Sequence, residues 1–180
     1  AAATIGRAWQ YPLLPLLPGP TPFQESGLVL NEWASKQYLV AAGVAIPRGT
    51  VVNDLRQLRG VAQALSFPLV LKVCDSNMTH KSEHSAVVLN IRSEEELLDH
   101  ATTLIHHNPQ LLVEEMVADA VCELIVGVAH DPCIGPWMMI GSGGVLAELV
   151  GDSTVVLVPT NCAELEVALR SLKVYPLLAG

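Results

Sequence analysis

Of the four lysines in this 180-residue chain, Lys72 stands inside the apolar run FPLVLKVC. Strand alternation puts Leu69, Leu71 and Val73 on one face, and Val70, Lys72 and Cys74 on the other. A buried ammonium without a partner is costly, so Lys72 faces either water, as an edge-strand lysine that snorkels, or an anion. A second lysine, Lys81, lies further on in HKSEHS, His80 to Ser85. Two lysines on a strand–loop–strand unit, with Ser82, Ser85 and loop amides beside them, make a flap able to grip phosphate. GSGG, the residues Gly141, Ser142, Gly143 and Gly144, directly follows the strand-like PWMMI. It reads either as a place where backbone amides approach a phosphoryl group or as a tight strand turn. The sequence has neither a Walker A motif nor GxGxxG, so a nucleotide site here is of another kind.

Acidic residues inside apolar strands also need a reason. LLVEEMV places Glu114 and Glu115 consecutively, followed by Met116, so one carboxylate points each way. Such a segment can offer backbone N–H and C=O groups to a base and a carboxylate to a ribose, or it is a half-exposed strand face. Glu123, in ELIVGV, is expected on the neighbouring strand, where a ribose or magnesium would account for it. Glu148, in VLAELVGDS, could meet a metal, a substrate or solvent. HKSEH matches the inverted zincin motif H-x-x-E-H through His80, Glu83 and His84. That reading needs both histidines on one helix face, whereas the strand-like AVVLNI begins within two residues. Zinc is therefore the weaker reading.

These groups need elements to hold them. An apolar fraction of 51% excludes disorder for the chain as a whole. Eighteen acidic against ten basic residues give a formal charge of −8, with no basic cluster for nucleic acid. No apolar run is long enough to span a bilayer. The cysteines Cys74, Cys122, Cys133 and Cys162 form no CxxC pair and suit reduced core thiols in a cytoplasmic protein. Residues 1–27, with PLLPLLPGPTP, read as a proline-rich linker. Asn31 caps a helix through NEWASKQYLVAA that stops at Gly43, and Asn53 is expected to cap DLRQLRGVAQAL. FPLVLKV and AVVLNI are strands, and a Ser93–Glu96 capping box opens EEELLDHATTLIHH. LLVEEMV, VCELIVGVAHD, PWMMIG and STVVLVP follow as strands, with a hairpin turn at His130-Asp131-Pro132. A box from Asn161 and Glu164 then starts CAELEVALRSL. The expected organisation is α+β: a lobe over 28–110 and a second over 111–180, joined near Leu111–Val117.

In that order, LNEWASKQYLVAAGVAIPRGTVV, FPLVLKV, HKSEHSAVVLNI, LLVEEMV, ELIVGVAHDPCIGPWMMIGSGGVLAEL, STVVLVPT and LRSLKVYPLLAG resemble the ATP-grasp domain of the ADP-forming acyl-CoA synthetases. The resemblance covers Leu28 to Gly180. It implies an ATP-grasp fold, two α/β lobes with a nucleotide cleft between them, the second lobe incomplete. It implies that Lys72, with Lys81 and Ser82 nearby, contacts nucleotide phosphates, that Glu114, Glu115 and Met116 form the adenine hinge, and that Glu123 lies near the ribose or phosphates. His80 becomes the candidate phosphoryl carrier, and Gly141–Gly144 the receiver of a phosphohistidine loop. ATP or ADP and Mg2+ are the implied cofactors, the metal ligands lying in a family segment beyond this C-terminus. CoA-binding and ligase domains, in the same chain or a partner subunit, are the implied partners, and the complete enzyme is expected to be oligomeric. His84 and Ser85 depart from the acidic and small residues that relatives carry after HKS. The other function class is a catalytically silent regulatory ATP-grasp module fused to an acetyltransferase.

Overall fold

The structure is a computed structural model that describes residues 30–74, 87–106, 110–144 and 147–180. Helix α1 (Glu32–Ala41) begins where expected: the Asn31 side chain accepts the Ala34 N–H at 2.9 Å, and the chain leaves the helix through Gly43 at φ +82°. Strand β1 (Gly49–Val52) is followed by a 3-10 turn (Leu55–Gln57) and α2 (Leu58–Ala64). The cap here is Asp54, not Asn53. The Asp54 carboxylate takes both the Arg56 amide at 2.8 Å and the Arg56 guanidinium at 2.9 Å, and Gln57 reaches back to the Asn53 N–H at 2.9 Å. A carboxylate that satisfies backbone and side chain together outbids the neighbouring amide.

β2 (Leu69–Val73), β3 (Val87–Ile91), α3 (Glu94–Ile105) and β4 (Leu111–Glu115) complete this part. Ser93 caps α3 by accepting the Glu96 N–H, while the Glu96 carboxylate takes the N–H of Arg92 rather than that of Ser93. The four strands form one antiparallel sheet in the order β1-β4-β2-β3. Leu69, Leu71, Val73, Leu111 and Val113 point to one face and pack with Leu58, Ala62, Leu97 and Ala101 of the helices. The period-2 assignment of Lys72 to the other face follows directly.

The chain divides into two compact units between Ala118 and Asp119. The boundary expected after residue 110 falls inside the first unit, because LLVEE is an inner strand of its sheet rather than a connector. The second unit contains β5 (Leu124–Asp131), β6 (Gly135–Ser142), the short α4 (Ala147–Val150), β7 (Ser153–Leu157), α5 (Cys162–Ser171) and α6 (Tyr175–Ala179). Its sheet is an antiparallel meander, β5-β6-β7, whose first hairpin is closed by Asp131 accepting the amides of Cys133 and Ile134. Asn161 caps α5. All four cysteines are free, but only Cys74 is buried; Cys133 on the hairpin and Cys162 at the start of α5 are exposed, which corrects their reading as core thiols. Among the described residues no helix is long and apolar enough to cross a membrane.

Replacing the fully buried Leu71 by Ala is expected to cost about 2–5 kcal/mol. The exposed Leu157→Ala should stay within about 0.5 kcal/mol of the parent. Urea unfolding of the two variants checks the difference.

Candidate functional site

On the sheet face away from the core, Lys72 stands opposite Leu112 and Glu114 opposite Val70, so the two charged residues are diagonal neighbours across β2 and β4. Their side chains meet, with Lys72 Nζ 2.6 Å from Glu114 Oε1. The first two turns of α1 add Glu32 and Lys36, one helical turn apart. Glu32 Oε1 lies 2.7 Å from Lys72 Nζ and 2.9 Å from Lys36 Nζ, and Lys36 also pairs with Glu114 Oε2. Both ammonium groups thus touch both carboxylates. The side chains are 5% exposed for Glu114, 14% for Lys36, 20% for Lys72 and 25% for Glu32. Gly49 stands beside Glu114 on β1, and a Cβ there would come within 2.7 Å of the Glu114 Cβ. This strand can lie against the buried glutamate because it carries no side chain at that point.

Burial pushes the Glu32 carboxyl up, but the hydrogen bonds from Lys72 and Lys36 outweigh it and hold the group down at about 2. Burial pulls Lys72 down; its bonds to Glu114 and Glu32 outweigh that and raise it above its ordinary value. At neutral pH Glu32 is therefore held as a carboxylate and Lys72 as an ammonium. Of the two alternatives for Lys72, water or an anion, the structure selects an anion, and it is a pair of the chain's own carboxylates.

Glu115, on the other face of β4, accepts from Arg48 at 3.1 Å and from the Ser66 amide at 2.8 Å. The main-chain N–H groups of Glu115 and Met116 are also engaged, donating to Arg48 O and Pro68 O. The flap residues His80, Lys81 and Ser82, and the zincin candidates Glu83 and His84, lie outside the described residues.

In the second unit, Gly141 and Ser142 are the last residues of β6 and not a loop after it, a correction to the expected GSGG turn. The Ser142 amide donates to Asp152 O and the Gly143 amide to Glu123 O. Glu123 itself precedes β5, a strand of the second sheet, and is exposed, so its expected place on a strand beside β4 is corrected too. A Cβ on Gly141 would meet Asp152 O at 2.9 Å, and one on Gly143 would meet the Glu123 Cβ at 3.0 Å. Close approach of neighbouring backbone accounts for these glycines.

A family model described as an ATP-grasp domain matches residues 23–180. The chain belongs to the ATP-grasp family. The beta subunit of an ADP-forming acetate–CoA ligase (form II) from Pyrococcus furiosus is 30% identical over 159 residues, 83% of this chain and 66% of the relative. A solved acetyl-coenzyme A synthetase of Ca. Korarchaeum cryptofilum, in complex with coenzyme A, Ca-AMPCP and HgCl+, superposes with a TM-score of 0.76 at 29% identity. That match covers 84% of this chain and 69% of the solved one. A second structure from the same source holds coenzyme A and Mg-AMPPCP, with a phosphohistidine segment pointing towards the nucleotide-binding site; it matches at TM-score 0.65 and 32% identity, over 81% of this chain and 64% of that one. The chain spans 66% of the Pyrococcus relative and 23% of two longer relatives.

Within the ATP-grasp chain, sequence reasoning found Lys72 and Glu114 but missed Glu32 and Lys36. The signal was an acid–base pair at i,i+4 in NEWASK, which also suits an ordinary solvated helix start, where an acid favours the dipole. Asp152 was missed as well; buried, it accepts the amides of Lys173 and Val174 at 2.9 and 3.0 Å and ties the end of α5 to the sheet.

Because the Glu32 carboxyl sits below its unfolded value, its contribution is complete above about pH 4.5 and is lost as the pH falls towards 2. Glu32→Gln should lower stability at neutral pH and flatten the loss between pH 5 and 3, measured by urea unfolding across that range. Gly141→Ala, forced against Asp152 O, should destabilise the chain by about 1–3 kcal/mol in the same assay.

Proposed function

We propose that this ATP-grasp domain is the nucleotide-binding part of an ADP-forming acyl-CoA synthetase, coupling acyl-CoA thioester formation or breakdown to ATP and ADP. The observation that carries this reading is Lys72: an ammonium kept charged, on the sheet face away from the core, in a chain whose ATP-grasp relatives include an acetyl-coenzyme A synthetase solved with AMPCP. A charged lysine with a partly exposed head supplies a point charge for phosphate oxygens. Glu114 of β4 and Glu32 of α1 both hold it.

In the thioester-consuming direction, phosphate displaces the CoA thiolate from the acyl carbon, giving an acyl phosphate. A histidine nitrogen then attacks phosphorus, the acid leaves as carboxylate, and ADP oxygen finally takes the phosphoryl group from the histidine. His80 is our candidate for such a carrier within this chain, since imidazole nitrogen is nucleophilic near neutral pH. Lys81, Ser82 and Glu123 are the further candidates for phosphate and ribose contacts, with Glu114–Met116 as the base-facing strand end. The CoA-binding and ligase domains would belong to the remainder of the polypeptide or to a partner subunit in an oligomeric enzyme. Free thiols fit a reducing cytoplasm. Among the described residues no three His, Cys, Asp or Glu side chains gather as a metal cage; magnesium shared with a nucleotide needs only one or two carboxylates beside the phosphates. Mg2+ would arrive on the nucleotide.

Calorimetric titration of the chain with Mg·ADP and Mg·ATP tests the reading. Saturable binding that weakens at least about tenfold in Lys72→Ala is expected. Equal binding by parent and variant would remove Lys72 from the site. In the complete enzyme, Lys72→Ala and His80→Ala should each abolish thioester formation.

A further inference from the structure

We infer that Lys36 is a positioning residue for the nucleotide: it supplies the counter-charge that lets Lys72 leave its carboxylates for a phosphate. The inference rests on the reading of Lys72 as a phosphate ligand. At present Lys72 Nζ is engaged by Glu114 at 2.6 Å and Glu32 at 2.7 Å, so a phosphate oxygen has to draw the ammonium away from anions that are already there. Removing the cation from a buried carboxylate is among the more costly changes in a protein. Glu114 would bear most of that cost, because its side chain is only 5% accessible. Among the described residues, the cations that pair with it are Lys36 and Lys72.

The two lysines do not compete for one atom of Glu114. Lys72 is on Oε1 and Lys36 on Oε2, so Lys72 can depart without disturbing the second pair. Lys36 also keeps its 2.9 Å contact to Glu32. Lys36 is less exposed than Lys72, at 14% against 20%, so of the two ammonium groups Lys72 is the more accessible. Without Lys36, the cation that pairs with the buried Glu114 among the described residues is Lys72 alone, the one the phosphate would draw away. The incoming anion would then leave an unpaired buried glutamate behind.

Mg·ADP titrations of the chain and of Lys36→Ala, Lys36→Arg, Lys72→Ala, and Lys36→Ala combined with Glu114→Gln test this. Lys36→Ala should bind roughly tenfold more weakly, Lys36→Arg should restore most of the loss, and the double variant should bind more tightly than Lys36→Ala alone. Suppression is the discriminating result: once Glu114 is neutral, Lys72 leaves no buried charge behind, whereas a merely structural Lys36 would make the double variant worse. Parental affinity in Lys36→Ala, or a double variant that binds no better than Lys36→Ala, overturns the inference while leaving Lys72 in place. Absence of binding by the parent, or parental affinity in Lys72→Ala, overturns the phosphate reading itself and the inference with it.

Discussion

An ammonium on an inner strand of a packed sheet has to be compensated, and the first unit is organised around that demand. β2 lies between β4 and β3, and its alternation divides the sheet into an apolar face under α2 and α3 and a face bearing Lys72. The register of β2 on β4 brings Glu114 diagonally beside it, and the capped start of α1 brings Glu32 and Lys36 over the same face. A one-residue slip between the strands would exchange faces, driving Lys72 among the leucines and Val73 into the charges. The core and the charged cluster therefore enforce the same register from opposite sides.

This arrangement couples local capping to the site. Asn31 sets where α1 begins, which sets the angular position of Glu32 and Lys36 one turn apart. Gly49 allows β1 to close against a strand whose neighbouring side chain is the buried Glu114. None of these residues needs to touch a ligand to matter. Each limits where the two carboxylates can stand, and those carboxylates decide the charge state and orientation of Lys72.

The second unit follows a different logic. Its meander has short-range connections, and its glycines answer to neighbouring backbone: Gly141 to Asp152 and Ser153, Gly143 to Glu123. Asp152 then fastens the chain after α5 with two amide bonds. Hydrogen bonds that satisfy buried backbone take priority over open amides, which is why a glycine-rich stretch became the end of a strand.

Much of this was readable from residue types in order. Caps at Asn31, Ser93 and Asn161, the strand through Lys72 and the hairpin near Asp131 depend on neighbours a few positions apart, so local chemistry specifies them. The family resemblance, carried by ordered motifs, likewise needed no coordinates. Asp54 rather than Asn53 caps the turn, and its carboxylate takes both the Arg56 amide and the Arg56 guanidinium, a choice between two adjacent residues of similar capping chemistry. The membership of LLVEE in the first sheet, the exposure of Cys133 and Cys162, and the partners of Lys72 were decided by tertiary structure alone. Sequence determined that Lys72 would face away from the leucines, because alternation is a property of the strand itself. That its anions would be Glu32 and Glu114, shared with Lys36, depended on residues 40 and 42 positions away meeting on one face, a choice made only when helix and strands packed.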